Sequence, residues 1–142
     1  MEASKSESNS NALIYSQECY DIMGACFAVY TDKGCGFLEA VYQECLEIEL
    51  MARGIPFVAQ PEIRLEYRGI PLKQIYIPDF LCYEEIVVEL KAIAKIAPEH
   101  RAQLMNYLKA TNLQCGILVN FGHYPKVEYE RFVCTKGRYI TP

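Results

Sequence analysis

Ile77-Pro78-Asp79-Phe80 and, beyond a short turn, Glu89-Leu90-Lys91 are the residues whose reading decides the fold. Nine residues separate Asp79 from Glu89, and they read as the two arms of a hairpin. Strand-like runs from Ile77 to Cys82 and from Ile86 to Lys91 flank the acidic turn Tyr83-Glu84-Glu85. Residues two apart on a strand share a face, so Glu89 and Lys91 point the same way. A hairpin centred on Glu84 brings Asp79 opposite Glu89, or one register step from it. Two carboxylates and an ammonium then converge beside Ile86, Val87, Val88 and Leu90, where unpaired charge is costly unless an ion is bound. Two acidic oxygens with a backbone carbonyl suit Mg²⁺, and a neighbouring lysine can stabilise a phosphorane-like transition state. The same residues at strand ends, pairing with Lys91 or Lys95 at the surface, are the alternative, and the pattern alone does not separate the two.

Working outward, Phe57 to Gln60, Ile63 to Tyr67 and Leu72 to Ile77 read as extended segments of a meander, with Arg68-Gly69-Ile70-Pro71 as a turn. Before them, apolar residues at helical spacing predict a helix from Ser16, as N-cap, to Tyr30, and a second from Phe37 to Ala52 closed by Arg53-Gly54. On the second helix Leu38, Val41, Cys45 and Ile48 form one apolar row. Tyr42, Leu46 and Leu50 form the row beside it, with Glu39 in line, so a third carboxylate is expected to face the acidic cluster. A third helix starts at Pro98 and runs to about Ala110, with His100, Gln103, Leu104, Tyr107 and Leu108 down one side. A dense apolar strand, Gly116 to Phe121, and a more polar edge strand, Lys126 to Cys134, complete the sheet.

The chain of 142 residues has room for one domain, and its 51% hydrophobic content supports a real core. The Ser- and Asn-rich stretch at the start reads as a loose leader, 1–15, ahead of a single domain, 16–142. A net charge of −4 excludes coating of nucleic acid by bulk positive charge. Lys91, Lys95, Arg101 and Lys109 against Glu99 nevertheless make one stretch able to meet phosphate. Seven scattered cysteines without a C-x-x-C pair suit reduced thiols in the cytoplasm. No apolar run is long enough for a membrane span, and no secretory signal pattern is present.

Gly36-Phe37-Leu38-Glu39-Ala40-Val41-Tyr42 reads G-x-x-E-x-x-Y, and Pro-Asp is followed by Glu-x-Lys. With "ELMARGI", "YRGI", "VVELKAI", "HRAQLMNYLKAT" and "GILVNFG" in order, the chain resembles the GxxExxY family, in the RecB-like branch of the PD-(D/E)XK nuclease superfamily. The resemblance runs from about Ser16 to Val133. It implies an α/β fold with a restriction-endonuclease-like α-β-β-β-α-β core, a central mixed sheet flanked by helices. It further implies Asp79 and Glu89 as ligands of Mg²⁺ or Mn²⁺, the Leu90 carbonyl as a third, Lys91 as the catalytic lysine and Glu39 as the acid of the first helix of that core. Gln103 and Tyr107 match the element that orients lysine and substrate, and His100 stands one turn before them. The chain departs from the family's usual pattern at Lys33-Gly34-Cys35-Gly36, where Leu-Gly-Pro-Gly is common, and at Tyr30, where a histidine often contributes to the metal.

The expected function is metal-dependent hydrolysis of DNA phosphodiesters, with RNA as the other polymer to consider. A catalytically inactive nuclease-fold protein that binds nucleic acid or a protein partner is the alternative. A structural homo-oligomer subunit with a buried salt-bridge network is a third reading.

Overall fold

The computed structural model describes residues 14–135 and 138–140, from Thr135 onward by backbone alone. The expected leader lies outside the described residues except for Ile14 and Tyr15, and Tyr15 already packs against the core. Helix α1, Ser16–Lys33, buries Ile22, Ala25, Cys26 and Val29. Ser16 is its first residue rather than its N-cap; Tyr15 takes the cap position at φ 56°, without a side-chain cap. Helix α2, Glu39–Ala52, buries Tyr42, Leu46 and Leu50, the expected row. The adjacent row is a correction: Leu38 and Ile48 are exposed, because a helix laid on a sheet commits one row to it and leaves its neighbour at the rim. Gly54, at φ 69°, closes α2 as expected, its N–H reaching the Met51 carbonyl at 3.1 Å.

Strands β1 (Phe57–Ala59), β2 (Ile63–Tyr67), β3 (Ile70–Tyr76), β4 (Phe80–Cys82) and β5 (Ile86–Lys91) follow, then helix α3 (Pro98–Thr111) and strands β6 (Cys115–Asn120), β7 (Glu128–Thr135) and β8 (Arg138–Ile140). The main sheet has the order β1-β4-β5-β6-β7-β8, parallel between β5 and β6 and antiparallel elsewhere. Two expectations are corrected here. The meander does not form: β1 pairs with β4, while β2 and β3 make a separate two-stranded ribbon. The Gln60 N–H donates to the Asp79 carbonyl and the Tyr83 N–H to the Pro56 carbonyl, both at 2.9 Å, which locks β1 to β4 and leaves β2 only β3 as a partner. The ribbon turn is Arg68-Gly69 alone, at φ 53° and 76°, the left-handed pair that a two-residue hairpin requires. Nor is β7 an edge, since β8 pairs with it.

Helices cover both faces of the sheet. α1 and α2 pack against Phe80, Ile86, Val88, Leu90, Ile117 and Val119. On the other face α3 sets Leu104 and Leu108 against Val87 and Leu118. The alternation along β5 therefore turns Glu89 and Lys91 toward the α3 side. This mixed α/β architecture is the fold class expected from the sequence. All seven cysteines are free thiols. Among the described residues, no helix is long and apolar enough to cross a membrane.

One buried polar side chain fixes the end of the sheet that carries Lys91. Asn120 is fully buried opposite Lys91; its Oδ1 accepts from the N–H groups of Ile93 and Gly122, each at 3.0 Å, and its Nδ2 donates to Glu128 at 3.1 Å. Asn120→Ala strands two backbone donors, and a loss of about 2–4 kcal/mol is expected in urea unfolding.

Candidate active site

Phe80 pairs with Val88, so one step along the ladder sets Asp79 across from Glu89. The hairpin is centred on Glu84, and the Tyr83-Glu84 turn carries positive φ at both residues, 54° and 61°. Asp79 Oδ2 accepts from the Leu90 N–H at 2.7 Å. Glu89 Oε1 accepts from the Tyr76 hydroxyl at 2.7 Å. Asp79 is thus held by the Leu90 N–H, and Glu89 by the Tyr76 hydroxyl and the Asp79 N–H.

Electrostatics tie four expected residues together. Burial, reinforced by the Asp79 charge, pushes the Glu89 carboxyl up to about 7, against the opposing pull of Tyr76 and Lys91. Asp79 is raised by burial, opposed by the Leu90 N–H and Lys91. Glu39 is raised by burial and by Asp79, and lowered by Lys91. Tyr76 is raised by burial and by Glu89. Glu39 is nonetheless exposed, a correction to the buried row in which it was expected: it is the first residue of α2, where the stripe runs out past the sheet. The ion pairs among the described residues are Lys33–Asp32, Arg53–Glu49 and Arg101–Glu130, so Lys91 balances the carboxylates through space and not by direct pairing.

Beside them lies a cavity of about 270 Å³, lined by Glu89, Lys91, His100, Gln103 and Tyr107 together with the end of β3. Gln103 is exposed and Tyr107 half-buried, so they border this cavity where an inward stripe was expected; Leu104 and Leu108 alone are buried from that side of α3. The Tyr107 ring stacks on Tyr76 at 3.8 Å. His100 lines the cavity, but its Nδ1 accepts from the Ala97 N–H at 3.0 Å, which caps α3. Among the described residues no three His, Cys, Asp or Glu side chains form a ready-made metal cage. A profile of the PD-(D/E)XK nuclease superfamily matches residues 16–132.

The chain belongs to the PD-(D/E)XK nuclease superfamily.

Members of this superfamily generally use divalent metal ions. The oxygen-only set here, two carboxylates and a neighbouring carbonyl, fits a hard cation that keeps several waters. The solved structure of SSO0001 is similar, at 22% identity and a TM-score of 0.49, over 65% of this chain and 48% of that one. The chain therefore spans about half the length of that protein. No curated protein matches the chain.

Three polar residues in or near this candidate site escaped the sequence reading. Tyr76, which orients Glu89, carries a signal: an aromatic hydroxyl just before the Ile77-Pro78-Asp79 step. Gln43 donates to the Asp79 carbonyl at 3.2 Å from α2, beside the buried Tyr42 and Leu46. Asn120 is a polar residue within a dense apolar strand, a buried-network signal that periodicity does not weigh. Arg101, expected to meet phosphate, is instead held by Glu130 at 2.6 Å. Tyr42 stacks on Phe121 at 4.7 Å and donates to the Gly34 carbonyl at 2.6 Å, so the last residue of the G-x-x-E-x-x-Y stretch ties down the turn that positions Glu39.

Proposed function

We propose that the chain is a metal-dependent nuclease that hydrolyses DNA phosphodiester bonds, in a single domain spanning 16–142 and akin to the GxxExxY group of the RecB-like branch. The observation that carries this reading is the β4–β5 register, which sets Asp79 across from Glu89 with Lys91 on the same face and bordering the cavity. Asp79, Glu89, the Leu90 carbonyl and Glu39 would hold Mg²⁺ or Mn²⁺. When bound, such an ion supplies Lewis-acid polarisation of a phosphoryl oxygen and hydroxide at neutral pH.

The chain's own residues do the rest. Lys91 offers a cation to the charge that develops on the phosphoryl oxygens, from the cavity wall that faces α3. Tyr76 fixes the Glu89 carboxylate, and Tyr107 stacked on it keeps that hydroxyl in place. Gln103 and Tyr107 border the space through which a phosphate approaches, and His100 serves it by fixing the start of α3. RNA shares the same linkage, and cytoplasmic localisation fits the free thiols.

Binding of nucleic acid or a protein partner without cleavage is the second reading. It draws on Tyr30, which stands where related enzymes often carry a metal-binding histidine and whose hydroxyl is spent on the His123 carbonyl at 2.6 Å. Plasmid nicking separates the two. The full chain is expected to convert supercoiled DNA to open circles in Mg²⁺ or Mn²⁺ and to stop on chelation, and Glu89→Ala or Lys91→Ala, still folded, should lose the activity. Binding without cleavage in both metals would give the second reading the chain.

A further inference from the structure

We propose that the β2–β3 ribbon is a DNA-binding arm that enters a groove of the duplex and delivers the strand to the Glu89–Lys91 cavity. This rests on the phosphodiester chemistry proposed above and names the element that would recruit the substrate.

The arm is rooted at the site. Its strand β3 ends in Tyr76, which holds Glu89, and Ile75 and Ile77 line the cavity. Ile63, Leu65 and Tyr76 fasten that end against the core under α3. The far end is uncovered, with Tyr67 69% and Ile70 67% exposed at the turn. A two-stranded ribbon is marginal by itself, and a tip with apolar side chains facing water invites a partner.

The charges point to the kind of partner. Arg64, Arg68 and Lys73 make no ion pair or side-chain hydrogen bond among the described residues, whereas Arg53 and Arg101 are each bound to a glutamate. Arg64 lies opposite Ile75, and Lys73 two residues from Ile75, so both cations share the ribbon face that continues into the cavity wall. Glu66, opposite Pro71, is on that face as well, and Arg68 sits at the tip. Three uncommitted cations on one projecting element of a chain with net charge −4 form a local footprint for phosphate. Two-stranded ribbons fit the major groove, and apolar tips such as Tyr67, Ile70 and Pro71 suit contact with bases or wedging between them.

The test uses the full chain and a fluorescein-labelled DNA duplex in EDTA, read by anisotropy across a salt series. Arg64→Gln/Arg68→Gln/Lys73→Gln is expected to weaken binding roughly tenfold or more and to make the slope of log K against log salt shallower by about 3. The single Arg68→Gln, at a turn that tolerates it, is expected to take about 1 from that slope. Hydrolysis of bis(p-nitrophenyl) phosphate in Mn²⁺ should be unchanged, because that small diester reaches the cavity without the arm. Unaltered duplex affinity and slope in the folded variants would overturn the arm while leaving the nuclease reading intact. A variant that changes self-association in sedimentation velocity, with duplex binding untouched, would likewise overturn it and assign the ribbon to a second copy of the chain. Absence of diester hydrolysis in the parent chain, with duplex binding still dependent on the three cations, would remove the nuclease reading and leave the arm standing.

Discussion

Glu89→Gln is expected to abolish DNA cleavage, by roughly a thousandfold or more, and at the same time to stabilise the metal-free chain at alkaline pH. The two effects share one cause. Burial and the Asp79 charge hold the Glu89 carboxyl at about 7 against an ordinary value of 4.5, so the folded chain binds this proton more tightly than the unfolded one. The stability tied to the proton is fully present below about pH 4.5 and is lost as pH rises through about 7. Asp79, raised in the same direction, adds to the same slope. At pH 8 ionised Glu89 costs the fold at most about 3 kcal/mol, and the neutral amide removes that cost while still accepting from Tyr76. Melting in EDTA at pH 8 should therefore show the variant several degrees above the parent, with the difference gone at pH 4. Mg²⁺ or Mn²⁺ favours the ionised form and should raise the parent's midpoint most at high pH, and the variant's far less. A structural salt-bridge network predicts the opposite, since removing one partner strands the other; a lower midpoint for Glu89→Gln in EDTA would decide for it.

The legibility of this site in the sequence has a physical basis. Asp79, Glu89 and Lys91 could be placed because a hairpin is local: strand periodicity and one acidic turn fix which residues meet, and the Phe80–Val88 register follows from Glu84 at its centre. Partners that depend on distant chain are not written locally. The segment Phe57–Ala59 looks like Ile63–Tyr67, yet only pairing with the first arm of the hairpin, where the Gln60 N–H donates to the Asp79 carbonyl and the Tyr83 N–H donates to the Pro56 carbonyl, decides that the first segment joins the main sheet and the second leaves it. The two apolar rows of α2 carry comparable hydrophobicity, and the stacking of Tyr42 on Phe121 helps select the one that turns inward. Arg101 read as a phosphate contact because its partner Glu130 is 29 residues away on β7. The fold class was thus accessible through the hairpin and its family resemblance, while the ribbon and the Asn120 network required three-dimensional contacts.

Lys91→Met is the second large effect, and its value is in how it differs from the first. The methionine keeps an unbranched apolar chain on the face of β5 toward Val87 and Leu118, so the sheet should hold its packing. Removing the ammonium takes away the one cation that acts on Glu39, Asp79 and Glu89 together. Those carboxyls then rise further above their ordinary values, and in EDTA at pH 8 the variant should melt below the parent, the reverse of Glu89→Gln. Both acids remain, so Mn²⁺ should still raise the midpoint, by as much as in the parent or more, because the bound cation now relieves a larger repulsion. Cleavage should nevertheless fall by about 10²–10³ in a single-turnover assay, since no donor is left to meet charge developing on the phosphoryl oxygens. Retained metal response with lost cleavage would separate the lysine's chemical part from the acids' binding part. A variant that cleaves within tenfold of the parent would reduce Lys91 to a counter-charge and move the search for the transition-state donor to Gln103 and Tyr107 across the cavity.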